Sequence, residues 1–123
     1  MNNKNVAIIG ASDKPERYSH KCLLMLEKFF YEPFLVHPNL KKIEGHKVFS
    51  NLLDIQAEID TVTLYIAPKL QTDIEQQILT KKVRRVIFNP GTENSELEKK
   101  LQVSGVEVLR ACTLVLLSTD QFE

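Results

Sequence analysis

Five short apolar runs, Asn5–Ile9, Phe34–His37, Thr61–Ile66, Val83–Phe88 and Val106–Leu109, are separated mostly by segments with helical spacing or good helix formers. Runs that are apolar at successive rather than alternate positions predict strands buried on both faces. Connections long enough for a helix favour parallel pairing between them. The expectation is an α/β fold: a Rossmann-like, doubly wound, mostly parallel sheet of about five strands flanked by helices. At 123 residues the chain suits one domain, 1–123, with one core.

The helical segments carry their own signals. The first is expected over Ser19 to Phe30, with Cys22, Met25, Leu26, Phe29 and Phe30 on its packed face and Pro33 beyond its end. The second is expected to open at Pro68, with Leu70, Ile74, Ile78 and Leu79 inward and Lys81 and Lys82 at the negative end of its dipole. The third follows Asn94-Ser95, turns Leu97 and Leu101 inward and stops at Gly105. Lys47–Ser50 reads as a short extra extended piece.

Composition narrows the function classes. Sixteen basic and sixteen acidic side chains cancel, so no overall field recruits nucleic acid or an anionic membrane. No apolar stretch approaches the roughly 20 residues of a membrane span, and Met1–Asn5 enters the first strand without a signal-type apolar region. A cytoplasmic location with reduced thiols is expected, since Cys22 and Cys112 lack C-x-x-C spacing.

In a sheet of this kind ligands sit beyond the carboxyl ends of the strands, so four loops matter. The first, Gly10-Ala11-Ser12-Asp13-Lys14-Pro15-Glu16-Arg17-Tyr18-Ser19, joins a buried strand to the start of a helix. Unpaired amides and the positive dipole end at that helix start predict an anion, namely a pyrophosphate. Of the glycines in G-x-G-x-x-G, Gly10 alone is present, with Ser12 and Pro15 at the other two positions. Gly10 supplies the tight turn and room for close approach, Ser12 a hydroxyl, and Lys14 and Arg17 two cations.

The second loop, His37-Pro38-Asn39-Leu40-Lys41-Lys42, carries no acid of the type that grips ribose hydroxyls in NAD sites. Lys41 and Lys42 instead suit a phosphorylated ribose, as in coenzyme A (3′) or NADP (2′), with Lys42 the preferred partner; a lysine pair also solvates a surface loop. The third loop, Tyr65-Ile66-Ala67-Pro68, lets the backbone pass close to a ligand. In the fourth, Phe88-Asn89-Pro90-Gly91-Thr92-Glu93-Asn94, Asn89 and the amides around Pro90 and Gly91 are candidate contacts.

Taken with Ile43-Glu44-Gly45, Asp60–Tyr65, Val86–Asn94 and Ala111–Leu117, these loops make the chain resemble the small stand-alone CoA-binding proteins. Their Rossmann-like domain is similar to the nucleotide domain of the succinyl-CoA synthetase α subunit. The resemblance spans nearly the whole chain and departs at His37, where many relatives resemble Val-Asn-Pro. It implies coenzyme A or acyl-CoA binding by a domain of this fold, with no reaction specified. It also implies that ligation, which in those synthetases needs a phosphorylated histidine and ATP-grasp machinery, is not expected of this chain.

The residues themselves show no catalytic constellation. His20, His37 and His46 lack the close spacing of a metal-binding helix, and no Ser-His-Asp or Cys-His arrangement is legible. Cys112 reads as a packing residue. Asp13 and Glu16 read as charge adjustment beside the anion loop. The expected function is non-catalytic binding of a small nucleotide ligand. Two alternatives stand: an NADP-linked oxidoreductase completed by oligomerisation, and a protein-interaction domain with a vestigial nucleotide site.

Overall fold

The structure, a computed structural model, describes residues 3–123. Its elements run β1 (Asn5–Ile9), α1 (Tyr18–Lys28), β2 (Glu32–Val36), β3 (Lys42–Ile43), β4 (His46–Phe49), β5 (Thr61–Leu64), α2 (Ile74–Thr80), β6 (Arg85–Phe88), α3 (Ser95–Val103), β7 (Glu107–Arg110) and α4 (Thr113–Ser118). Short 3-10 turns occupy Leu52–Asp54 and Pro68–Leu70. The seven strands form one sheet in the order β3-β4-β2-β1-β5-β6-β7, parallel throughout except for the β3–β4 hairpin. Without β3, the remaining six take the 3-2-1-4-5-6 order of the doubly wound fold.

The expected α/β class holds, with seven strands where about five were expected. The addition is the hairpin: β4 overlaps the extended piece expected at Lys47–Ser50, while the two residues of β3 are too few to show periodicity. Its two-residue turn is Glu44-Gly45, both at positive φ (50° and 80°), as a type I′ turn requires.

Both faces of the sheet are covered, which explains the continuous apolar runs. Val6, Ile8, Leu35 and Ile87 pack with Cys22, Leu23 and Leu26 of α1 and Leu117 of α4. Ala7, Ile9, Val62, Leu64, Val86 and Phe88 face Ile74 and Ile78 of α2 and Leu97 and Leu101 of α3.

Two helices differ from expectation. α1 ends at Lys28, and Phe30 follows in the left-handed region (φ 67°) and is 87% exposed. Tyr31 N–H bonds Leu26 O at 2.8 Å, closing a Schellman turn with phenylalanine where glycine is usual. Pro68 opens only a 3-10 turn, because the buried Gln71 sends its side chain inward. Its Nε2 donates to Ile66 O and Thr92 O, both at 2.9 Å, tying the loops after β5 and β6 together.

At the amino end of the sheet, Arg84 holds the buried Asp60 with two bonds, Nε to Oδ1 at 2.8 Å and Nη2 to Oδ2 at 2.9 Å. Thr61 Oγ1 donates to the same carboxylate at 2.8 Å. Burial opposes ionisation of Asp60, but these bonds and the charges of Arg84 and Arg85 prevail and hold its pKa below the usual carboxylate range. A carboxyl depressed in the folded state contributes stability that is complete above its unfolded value of about 4 and is lost as pH falls through the folded value. The thermal midpoint should therefore hold from neutral pH to about 5 and drop below it. Asp60→Asn should have a lower midpoint at neutral pH and a shallower acid drop; an acid profile parallel to the native one would contradict this role.

Candidate functional site

The carboxyl edge between β1 and β5, where the winding reverses, opens into a cleft of about 800 Å³. Its floor is the crossing of two loops. Gly10 has φ 91°, and a Cβ built there would stand 2.8 Å from Ile66 Cγ2 and 3.0 Å from the Tyr65 carbonyl carbon and oxygen. The glycine thus makes room for the β5 loop rather than only for a ligand.

Thirteen of the site residues expected from sequence line this cleft: Gly10, Ala11, Ser12, Lys14, Arg17, Tyr18, Ser19, His37, Pro38, Tyr65, Ala67, Pro90 and Gly91. Pro15, Asn39, Lys41, Lys42, Pro68 and Asn89 are not in its lining. Lys42 belongs to β3 and pairs with Lys47, while Lys41 O accepts from Val48 N–H. The hairpin draws both lysines toward the sheet edge.

Asn89 is a correction to the sequence reading. It is 2% exposed; its Nδ2 donates to Thr63 Oγ1 (2.7 Å) and Leu64 O (2.8 Å), and its Oδ1 accepts from Thr113 N–H (2.8 Å). The side chain caps the start of α4 and spends both of its amide hydrogens inside the protein. The loop amides beside it are also engaged, Gly91 N–H with Glu93 Oε1 at 2.9 Å and Thr92 N–H with Asn89 O at 3.0 Å. Cys112 sits half-buried at the N-cap of α4; the fully buried thiol is Cys22.

The anion loop needs a similar revision. Gly10 and Ala11 N–H both donate to Val36 O, at 3.0 and 3.2 Å, and Lys14 N–H donates to Ser12 Oγ at 3.1 Å. Among the described residues nothing accepts from the amides of Ser12, Asp13, Tyr18 and Ser19. α1 begins without a side-chain cap and without an acid in its first turn, so no side chain of that turn offsets its positive end. Lys14 and Arg17 are exposed at this end of the cleft.

Several lining residues were not singled out from sequence. Ile66, Leu70 and Ile74 supply apolar lining, and Ser50 and Gln77 add polar groups, the Gln77 Oε1 accepting from Leu52 N–H at 3.2 Å. The spacing of Leu70 and Ile74 reads as inward helix packing, but Leu70 lies ahead of α2 in the 3-10 turn and is 62% exposed. His37 works through its ring: Nδ1 accepts from Asn39 N–H (3.0 Å) and Leu40 N–H (3.1 Å), shaping the β2 loop and leaving Nε2 as the donor of a neutral ring.

Below the cleft the Tyr65 hydroxyl is buried without a hydrogen-bond partner among the described residues. Burial raises its pKa well above the ordinary phenol range, with the neighbouring Cys22 adding to the rise. The Cys22 thiol, also desolvated, is pushed up to about 12. Burial thus favours the neutral form of both groups.

The match to a CoA binding domain runs over residues 4–118, and its loops are the ones that build the cleft. The chain belongs to the CoA-binding domain family. It is 26% identical to the uncharacterized protein YneT of Bacillus subtilis (strain 168) over 106 residues, covering 86% of this chain and 78% of that one. It is 29% identical over 130 residues to the alpha subunit of ADP-forming acetate–CoA ligase I of Pyrococcus furiosus, covering 99% of this chain but 28% of the subunit. A crystal structure of an uncharacterized protein superposes with TM-score 0.88 at 36% identity, over 99% of this chain and all of that one. No helix among the described residues is long and apolar enough to cross a membrane.

Proposed function

We propose that this chain is a non-catalytic coenzyme A or acyl-CoA binding module. The observation that carries the reading is the uncapped, acid-free start of α1 opening on the cleft beside Lys14 and Arg17, which suits a diphosphate. The pyrophosphate lies against the Ser12–Asp13 and Tyr18–Ser19 amides. The adenosine extends toward His37 and Pro38, with its 3′-phosphate approached by Lys41 and Lys42. Lys41 directly follows the lining residue Leu40 and takes the larger share. With the ligase subunit this module shares the coenzyme-binding step alone.

Calorimetric titration with CoA, dephospho-CoA, NADP and NAD tests this. CoA should bind tightest, and Lys14→Ala and Arg17→Ala should each cost about tenfold in affinity, as expected for losing a charge-assisted contact. Lys41→Ala should narrow the preference for CoA over dephospho-CoA more than Lys42→Ala does. Tighter binding of NADP would favour an oxidoreductase, and no binding of any of the four would favour an interaction domain.

A further inference from the structure

His20, on the first turn of α1, is 2% exposed, and both its ring nitrogens are engaged. Nδ1 lies 2.8 Å from Ser12 O and Nε2 lies 3.0 Å from Glu44 Oε2. A carbonyl has no proton to give, so Nδ1 donates. The Nε2 contact shares one proton between ring and carboxylate, and either arrangement leaves Nδ1–H on Ser12.

The consequence follows from peptide geometry. The described chain has no cis peptide bonds, and in a trans peptide the C=O and the following N–H point in opposite directions across one plane. With Ser12 O drawn inward to His20, the Asp13 N–H is turned the other way. Ser12 and Asp13 both line the cleft, and no acceptor among the described residues takes up that N–H. The same bond removes a carbonyl oxygen from the place where an anion is expected.

Glu44 is held for this contact at some conformational cost. It occupies the first position of the β3–β4 turn at φ 50°, where asparagine or glycine is the usual choice. A second pair, His46 Nε2 to Glu27 Oε2 at 2.9 Å, joins the same hairpin to α1. Helix and hairpin thus exchange one histidine and one glutamate each.

We propose that His20, held by Glu44, is a positioning residue of the anion site, locking the Ser12–Asp13 peptide so that the Asp13 amide donates to the diphosphate. The inference rests on the reading of the cleft as a coenzyme A site. It makes the β3–β4 hairpin, which is outside the cleft lining apart from its approach, part of the binding apparatus. The Asp13 carboxylate shares that rim, and Lys14 and Arg17 offset its charge.

The test is amide NMR on the whole labelled chain, titrated separately with CoA and with inorganic pyrophosphate, for the native protein, His20→Ala, Glu44→Ala and Glu44→Gln. The Glu44 side chain is 48% exposed, so its variants should fold even if His20→Ala does not. In the native protein both ligands should shift the Asp13 amide strongly. Glu44→Ala should lose that shift and about tenfold in CoA affinity. Glu44→Gln should keep both, because its amide can donate to Nε2 of a neutral ring and leave Nδ1–H on Ser12. Native-like CoA affinity in Glu44→Ala, equal losses in the two Glu44 variants, or CoA binding with an unmoved Asp13 amide would each overturn the proposal. An Asp13 amide that answers pyrophosphate but not CoA would uphold it while removing the coenzyme reading.

Discussion

Gly10→Ala should lower the free energy of unfolding by about 2–6 kcal/mol, the sum of backbone strain and overpacking costs at one site. The strain comes from φ 91°, a conformation L side chains rarely adopt. The overpacking comes from a Cβ placed 2.8 Å from a branched methyl of Ile66 and 3.0 Å from the Tyr65 carbonyl. A backbone carbonyl cannot swing aside as a long side chain can. The thermal midpoint should fall by about 10 °C or more, and Gly10→Val should fall further. From sequence this glycine made space for a ligand; in the fold, the atoms a side chain would strike belong to the protein. A Gly10→Ala protein with native stability would show that the β5 loop yields readily.

Phe122→Ala should cost about 3–5 kcal/mol, the usual range for deleting a buried phenylalanine ring. The ring is 4% exposed, meets Tyr31 edge-on at 4.8 Å and lies 4.5 Å from the guanidinium carbon of Arg85. Arg85 is itself 4% exposed, bonds Thr61 Oγ1 and the Phe122 carbonyl, and its pKa is drawn below the usual guanidinium range by burial and then by the charge of Arg84. Truncating Phe122 leaves that cation in a cavity with fewer partners. Glu123→Ala is the control: its pair with Lys4 is 56% and 78% exposed, and its loss should change stability by less than about 0.5 kcal/mol. Chemical denaturation of both variants measures the contrast, and a Phe122→Ala loss below about 1 kcal/mol would contradict the packing argument.

Helix ends show how far local signals reach. α3 stops at Gly105 (φ 90°), as its sequence announces. α1, α2 and α4 are followed by Phe30, Lys82 and Asp120, all at positive φ, and Tyr31, Val83 and Gln121 close the same turns with bonds to Leu26, Ile78 and Leu116. No glycine marks those three, because packing of the following strand or tail imposes the turn. The lysine pair of the β2 loop is a similar case. Its charge was legible, but its position depends on β3, which forms only by pairing with β4.

The α/β class, the crevice-forming loops and the basic, glycine-opened loop before α1 are all legible in the residues. Burial on two faces and turn chemistry are written into neighbouring residues. Which donors remain for a ligand depends on how the chain folds around them. Val36 O takes the Gly10 and Ala11 amides, the core takes Asn89, and Glu44 and His20 turn the Ser12–Asp13 peptide. Most of these partners come from distant parts of the chain, and a hydrogen-bonding group is free or spent only according to what the fold brings beside it.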